Sequence, residues 1–362
     1  MDARLHPPRP PPRSGAGTGA HRCRTRHLRG HAGPRPKDSR LNPSPHTASP
    51  KALLLAFAAV YLVWGSTYLA IRFGVETIPP FLLGGTRFLA AGVILAVVSR
   101  RRGAPVPKPS EWRAATISGV FMVVGGNGLV CWAAQYVPSG LTALLVATVP
   151  LWLVAIARVG PDRETASPME IAGLVLGLGG VALLVGTSGA EVGIRGASAN
   201  QVAAGALVVV GASICWAIGS MYNRRAALPQ PPLYGTALTM AAGGLILVLI
   251  GLAAGEFGRL SLGDVSLRSW LSLAYLTAMG SIVAFSAYMW LLRTVRPAAA
   301  GTYAYVNPVV ALLLGWWLAD EAFTLPMLAG TVIIVAGVVL VQRGRAPKGG
   351  PRPATVRAPA SR

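Results

Sequence analysis

A chain of 362 residues, 53% hydrophobic and only 12% charged, with a mean hydropathy of +0.53, is too apolar for an ordinary soluble domain and points to a membrane. Its formal charge of +21 would suit a nucleic-acid-binding protein. However, ten Lys/Arg against Asp2 and Asp38 in residues 1–50, and six against no acid in residues 343–362, place two-thirds of the excess in two tails. Basic tails of this kind read as solvated or membrane-surface segments, and no nucleic acid is expected as a partner.

Residues 1–50 are rich in Pro, Arg, Gly, His and Ser and cannot bury enough apolar surface to offset their ordering entropy, so they read as a disordered tail. They lack the apolar run of a signal peptide; a start codon assigned too far upstream is the alternative to a translated tail. All five His (His6, His21, His27, His31, His46) lie there. The rest of the chain therefore has no imidazole for a metal site, proton relay or catalytic triad. Cys23, Cys131 and Cys215 have no CxxC spacing, and the two within apolar segments read as buried structural thiols. No GxxxxGK[ST] loop is present. An enzyme, a metal and a cofactor are thus not expected.

After the tail, ten segments are apolar enough to span a bilayer whose core needs roughly 20 residues per helix. They are 52–71, 80–99, 114–136, 139–158, 169–188, 202–222, 233–254, 269–292, 298–318 and 325–342. Turn chemistry separates them: Pro79-Pro80, Pro138-Ser139-Gly140, Pro161-Asp162, Pro229 through Pro232, Pro297 and Pro326.

The segments repeat. Trp112, Trp132, Pro150 and Met169 recur 158 residues later as Trp270, Trp290, Pro308 and Met327. Ile171-Ala172-Gly173 with Gly180-Val181 faces Leu328-Ala329-Gly330 with Gly337-Val338 at a spacing of 157. More loosely, Trp64 and Tyr68 resemble Trp216 and Tyr222, and Ala90-Ala91-Gly92 resembles Ala241-Ala242-Gly243. The expected fold is an all-α integral membrane protein of two five-helix repeats, 51–190 and 200–343, between the disordered tails 1–50 and 344–362.

Lys and Arg concentrate in alternate short loops: Arg100, Arg101, Arg102, Lys108 and Arg113, then Arg158 and Arg163, Arg224 and Arg225, and Arg293 and Arg296. This bias predicts both termini in the cytoplasm. Five helices per repeat is an odd number, so the second half inserts upside down relative to the first.

Arg87 is the most informative residue, because a charge about eight residues into a span is costly and must face protein or water. The Ala90-Ala91-Gly92 alignment puts Leu238 opposite it in the other half. It reads as a cationic handle for a carboxylate or phosphate, or as a structural arginine that snorkels, caps carbonyls or pairs with Glu76. The other cavity candidates are Trp64, Tyr68, Asn127, Trp132, Gln135, Tyr288, Trp290, Tyr303 and Asn307, with Tyr275 and Tyr305 beside them; amphipathic rings suit a site that must hold and release a solute. Trp112, Trp270, Trp316 and Trp317 read as interfacial belt residues. Pro150 and Pro308 free backbone carbonyls and mark helix kinks at matching positions. Gly125-Gly126, Gly84-Gly85 and Gly177-Gly179-Gly180 read as close helix contacts. Every Asp and Glu outside the tails lies near a predicted helix end, so no buried proton relay is visible, and facilitated export and proton-coupled antiport both stay open.

Residues 52–342 resemble the drug/metabolite transporter superfamily, specifically ten-helix exporters of the EamA type. The resemblance is carried by Trp64-Gly65-Ser66-Thr67-Tyr68, Arg87-Phe88 with Ala90-Ala91, Pro150 and Pro308, and the closing pattern Glu321, Thr324, Gly330 and Gly337. In the first half that pattern reads Glu164, Thr165, Ser167, Gly173 and Gly180, and departs from the usual form because Pro161-Asp162-Arg163 precedes the Glu. The resemblance implies a central cavity opened alternately to each side, a small-molecule substrate exported from the cytoplasm, and the lipid bilayer as partner; a homodimer is left open. Amino acids or related carboxylates are the favoured cargo. A drug or nucleotide-sugar carrier of the same fold, and a non-transporting receptor or channel, are the alternatives.

Overall fold

The computed structural model describes residues 49–159, 167–186, 194, 196–295, 302–321 and 324–344, without the side chains of 157–159, Tyr305 and Gln342. The two tails, the Pro161 to Glu164 turn, Arg195, Arg296 and Pro297, and the side chains of Arg158 and Tyr305 lie outside the described residues.

Among the described residues every regular element is helical. The helices are α1 (Pro50–Gly74), α2 (Pro80–Arg101), α3 (Pro109–Ala133), α4 (Ser139–Val146), α5 (Val149–Val159), α6 (Pro168–Gly186), α7 (Ala199–Arg225), α8 (Pro232–Ala253), the short α9 (Glu256–Arg259), α10 (Leu267–Thr294), α11 (Tyr303–Ala319) and α12 (Leu325–Gly344). Eight runs, counting Ser139–Ile156 across the α4–α5 break, are long and apolar enough to cross a membrane, and Val306–Ala319 and Leu325–Val341 are shorter apolar stretches.

The starts follow local chemistry. Pro occupies the first position of α1, α2, α3, α6 and α8, where its missing N–H costs nothing and its φ is already helical. Reciprocal capping boxes close α6, through Ser167 and Glu170 at 2.8 and 3.2 Å, and α7, through Ser198 and Gln201 at 2.8 and 3.3 Å. Gly255, with φ 71°, ends α8 in a left-handed turn that a β-carbon would strain.

Two helix pairs organise the bundle: α2 lies along α8 and α6 along α12. Both run antiparallel at backbone contact. A β-carbon on Gly173 would stand 2.6 Å from the Gly337 carbonyl, and one on Gly337 would stand 2.7 Å from the Gly173 carbonyl, while further along Gly180 meets Ile334 and Gly330 meets Leu184. Gly92 abuts the Ala241 backbone, and Gly244 abuts that of Leu89. Small residues allow this approach. Of the glycines expected at such contacts, Gly179 differs: nothing lies within 4 Å of its β-position, because it faces away from α12 on the outer side of α6.

One end of the bundle is tied by hydrogen bonds between residues far apart in sequence. The Glu321 carboxylate accepts from Ser139 N (2.7 Å), Gly140 N (3.1 Å) and Ser139 Oγ (2.9 Å) at the start of α4. Glu256 accepts from Phe81 N (3.2 Å) and Leu82 N (2.9 Å) at the start of α2. Both meet the orphan amides and positive dipole end of a helix. Thr77 donates to Ser269 Oγ (2.8 Å), which donates to the Phe73 carbonyl (2.8 Å). Hydrogen bonds to a charged acceptor contribute about 1.5–3 kcal/mol. Glu321→Ala is therefore expected to lower unfolding stability in detergent by about that much, whereas Glu76→Ala, which breaks only partly exposed pairs with Arg72 (3.5 Å) and Arg268 (3.7 Å), should shift it by less than about 1 kcal/mol. Equal effects would remove Glu321 from its role as a tie.

Candidate functional site

Between the tied end and the opposite end lies a cavity of about 60 Å³, lined from α1 by Trp64, Thr67, Tyr68 and Ile71, from α2 by Arg87 and Phe88, and from α3 by Gly126, Asn127 and Val130. Val146 closes it from α4, Ala212, Ser213 and Trp216 from α7, Gly280 and Phe285 from α10, and Tyr303 from α11. It has room for a handful of waters, so a larger solute enters only as side chains move.

Arg87 is 4% exposed. Its Nη2 donates to Asn127 Oδ1 at 2.9 Å, its guanidinium carbon sits 4.3 Å from the Phe88 ring centroid, and its Nε and Nη1 have no partner. Burial without partners is costly for any cation. Glu76, weighed above as its counter-ion, instead pairs with Arg72 and Arg268, because it lies beyond the end of α1 while Arg87 is two turns inside α2.

Asn127 is itself held in place. Its Nδ2 donates to the Met122 carbonyl at 3.1 Å, five residues back, within a π-helical stretch that runs Val120–Gly128. The wider i→i+5 turn sets Asn127 and Gly126 on the cavity wall. A second π-helical stretch, Leu276–Phe285 in α10, presents Gly280 and Phe285, and the 158-residue offset brings the two stretches into register. A third lies at Ala59–Val63 in α1. Such bulges cluster at functional sites, and no residue pattern in the sequence announces them.

The other wall is aromatic. Trp64 meets Trp216 edge-on at 5.6 Å, Tyr288 at 4.8 Å and Tyr303 at 5.4 Å, and Phe285 packs on both tryptophans. Tyr288 is buried behind this layer with its hydroxyl 3.5 Å from Ser220 Oγ. Asn307 is buried with its amide beside the Tyr68 hydroxyl.

The structure thus brings Trp64, Tyr68, Arg87, Asn127 and Tyr303 to one cavity, with Tyr288 and Asn307 just behind. It places three further candidates elsewhere. Trp132 meets Tyr136 edge-on at 5.4 Å, and Gln135 donates to the Trp132 carbonyl at 2.9 Å, both past the cavity at the end of α3. Trp290 is 37% exposed on the outer face of α10, as a belt residue would be. Trp112, Trp270, Trp316 and Trp317 are exposed too. Tyr275 bonds Ser66 Oγ at 2.6 Å away from the site.

Sequence reasoning missed Trp216, although its pairing with Trp64 across the repeat was the available signal. It also missed Thr67, which lies inside the Trp64 to Tyr68 run, and Phe285, which the 158-residue offset pairs with Asn127, as well as Ser213, for which there was no signal. The helix holding Pro150 is interrupted at Ala147–Thr148, where the Leu145 carbonyl accepts from Thr148 Oγ1 (2.6 Å) and Ser213 Oγ (3.3 Å) beside cavity-lining Val146. Pro308, its counterpart, sits inside α11, which continues from Tyr303 to Ala319.

Two segments of the chain, residues 50–186 and 203–343, match the model of the EamA-like transporter family. The chain is 40% identical over 291 residues to the uncharacterized inner membrane transporter YedA of Escherichia coli (strain K12), covering 80% of this chain and 90% of that protein. It is 23% identical over 290 residues to the uncharacterized transporter YoaV of Bacillus subtilis (strain 168), covering 80% and 96%. A solved crystal structure covers 80% of this chain and 97% of its own, with a TM-score of 0.56 and 21% identity, and shows the shared helical fold. This chain, with a cavity enclosed by both matched segments, belongs to the EamA-like transporter family.

Proposed function

We propose that the protein is a secondary transporter of the inner membrane that exports small metabolites, amino acids or related carboxylates, by alternating access between two inverted five-helix repeats. The observation that carries the substrate class is Arg87, buried in the cavity wall with Nε and Nη1 unpartnered: a fixed positive charge whose N–H donors are still free is matched by a carboxylate, whose oxygens accept them. The antiparallel α2–α8 and α6–α12 pairs support inversion, because equivalent helices lie antiparallel when an axis in the membrane plane relates them. Their contacts also survive exchange of the halves, Gly173 with Val341 against Gly330 with Leu184, and Gly180 with Ile334 against Gly337 with Gly177.

With ten spans and both termini cytoplasmic, as the Lys/Arg bias supports, the tied end faces outward. The Glu321 and Glu256 ties then close the outer side while a solute is collected from the cytoplasm. The name of the Escherichia coli relative supports the inner membrane as location. A carrier of cationic drugs is the second reading, favoured by the aromatic wall and disfavoured by the buried Arg87 charge.

Efflux from cells expressing the full chain and preloaded with labelled amino acids, hydroxy acids, nucleobases and cationic drugs tests the assignment. Carboxylate-bearing solutes are expected to leave faster than from cells without the protein. Acceleration confined to cationic drugs or nucleobases, or no acceleration of any solute, would overturn it.

A further inference from the structure

We infer that the cavity takes a net monoanion, a carboxylate with no compensating ammonium, and that its export is electrogenic, driven by the inside-negative membrane potential with no proton exchanged. This rests on the carboxylate reading of the Arg87 cavity and names the charge state and energy source that go with it.

The charge inventory carries the inference. Among the described residues that line the cavity, Arg87 is the one charged group and none is acidic. The nearby carboxylates are committed elsewhere: Glu256 to the Phe81 and Leu82 amides, Glu321 to Ser139 and Gly140, Glu76 to Arg72 and Arg268, and Glu170 to its own helix start. A bound monoanion brings the site to neutrality in a low-dielectric interior. A zwitterion leaves it at one positive charge and places an ammonium within the same 60 Å³ as the guanidinium, with no carboxylate to receive it. The repeat sharpens the asymmetry: Arg87 aligns with Leu238 and Asn127 with Phe285, so the charge and the amide that holds it belong to the first half alone.

The energetics follow from the same charge. A single negative charge leaving an inside-negative cell is favoured by roughly fiftyfold in concentration ratio for each 100 mV. An exporter of monoanions therefore needs neither a coupling ion nor a titratable relay, and no carboxylate of the described residues lines the cavity to serve as one.

Reconstitution of the full chain in liposomes, with valinomycin and potassium gradients setting the potential, tests this. Three labelled probes share one carbon skeleton: leucine, its hydroxy-acid analogue in which a hydroxyl replaces the ammonium, and isoamylamine. Leak of the protonated acid is subtracted with protein-free vesicles. Counterflow at zero potential comes first. Exchange of the amine alone, or of none, overturns the carboxylate reading and this inference with it.

Where a carboxylate exchanges, the hydroxy acid is expected to exceed leucine by at least tenfold. Its efflux should rise at least tenfold when the compartment it leaves is made negative, carry an electrical current, and be indifferent to a protonophore at clamped potential. Leucine exchanged as fast as the hydroxy acid, or hydroxy-acid flux that is insensitive to potential or abolished by the protonophore, overturns the monoanion inference and leaves the carboxylate reading standing. Arg87→Lys should keep the sign of the current with a raised KM, and a current lost or reversed in that variant, with exchange retained, would count against it.

Discussion

Arg87→Met is expected to lower carboxylate counterflow by tenfold to a hundredfold while leaving the thermal unfolding midpoint in detergent unchanged or higher. The two halves of this result have different origins. Charge-assisted hydrogen bonds of about 1.5–3 kcal/mol each would be lost from the bound carboxylate, which accounts for the fall in transport. Stability responds the other way, because wild-type Arg87 buries a charge with a single hydrogen-bond partner, Asn127, and two nitrogens that bond nothing. Replacing such a group with an apolar side chain of similar length is neutral or stabilising, whereas breaking a well-satisfied buried pair costs about 3–5 kcal/mol. A scaffold role for Arg87 predicts the reverse pattern: a lower midpoint, and transport that falls only with the amount of folded protein. Counterflow and thermal unfolding measured on the same preparation separate the two.

Gly337→Val is expected to weaken the α6–α12 pair, lowering stability by about 1–3 kcal/mol or more and the unfolding midpoint by several degrees, while Gly179→Val leaves both nearly unchanged. Any β-carbon on Gly337 would stand 2.7 Å from the Gly173 carbonyl and the Gly177 amide. Both neighbours are backbone, so relief requires the helices to separate, with loss of contact along their length. Gly179 is on the same helix pair but has nothing within 4 Å of its β-position, and replacing it even gains a little helix propensity. Unfolding of the two variants in parallel is the measurement. Similar midpoints would show that the close approach contributes nothing to stability.

Wherever chain-local chemistry decides, the sequence was legible. Apolar runs of bilayer length became helices, and the prolines at positions 50, 80, 109, 168 and 232 started them. The recurrence of Trp112, Trp132, Pro150 and Met169 gave the repeat, and the residues from Trp64 to Tyr68 with Arg87-Phe88 gave the family to which the chain belongs.

What the sequence could not decide was the direction in which each side chain points once helices cross. Trp64 and Trp290 are chemically alike, yet one is packed against four aromatic rings at the cavity and the other faces outward. Pro150 and Pro308 occupy equivalent positions, but among the described residues only the first adjoins a broken helix, where Thr148 N, Thr148 Oγ1 and Ser213 Oγ all donate to the Leu145 carbonyl. The π-helical turns that carry Asn127 and Gly280 to the wall leave no mark on composition or period. The sequence by itself determined the membrane-helix content, the duplication and the family, since these rest on residue type and spacing along one chain. Only the tertiary structure decided that Arg87 stands beside Asn127 rather than Glu76, because which partner a buried charge meets depends on how helices distant in sequence pack.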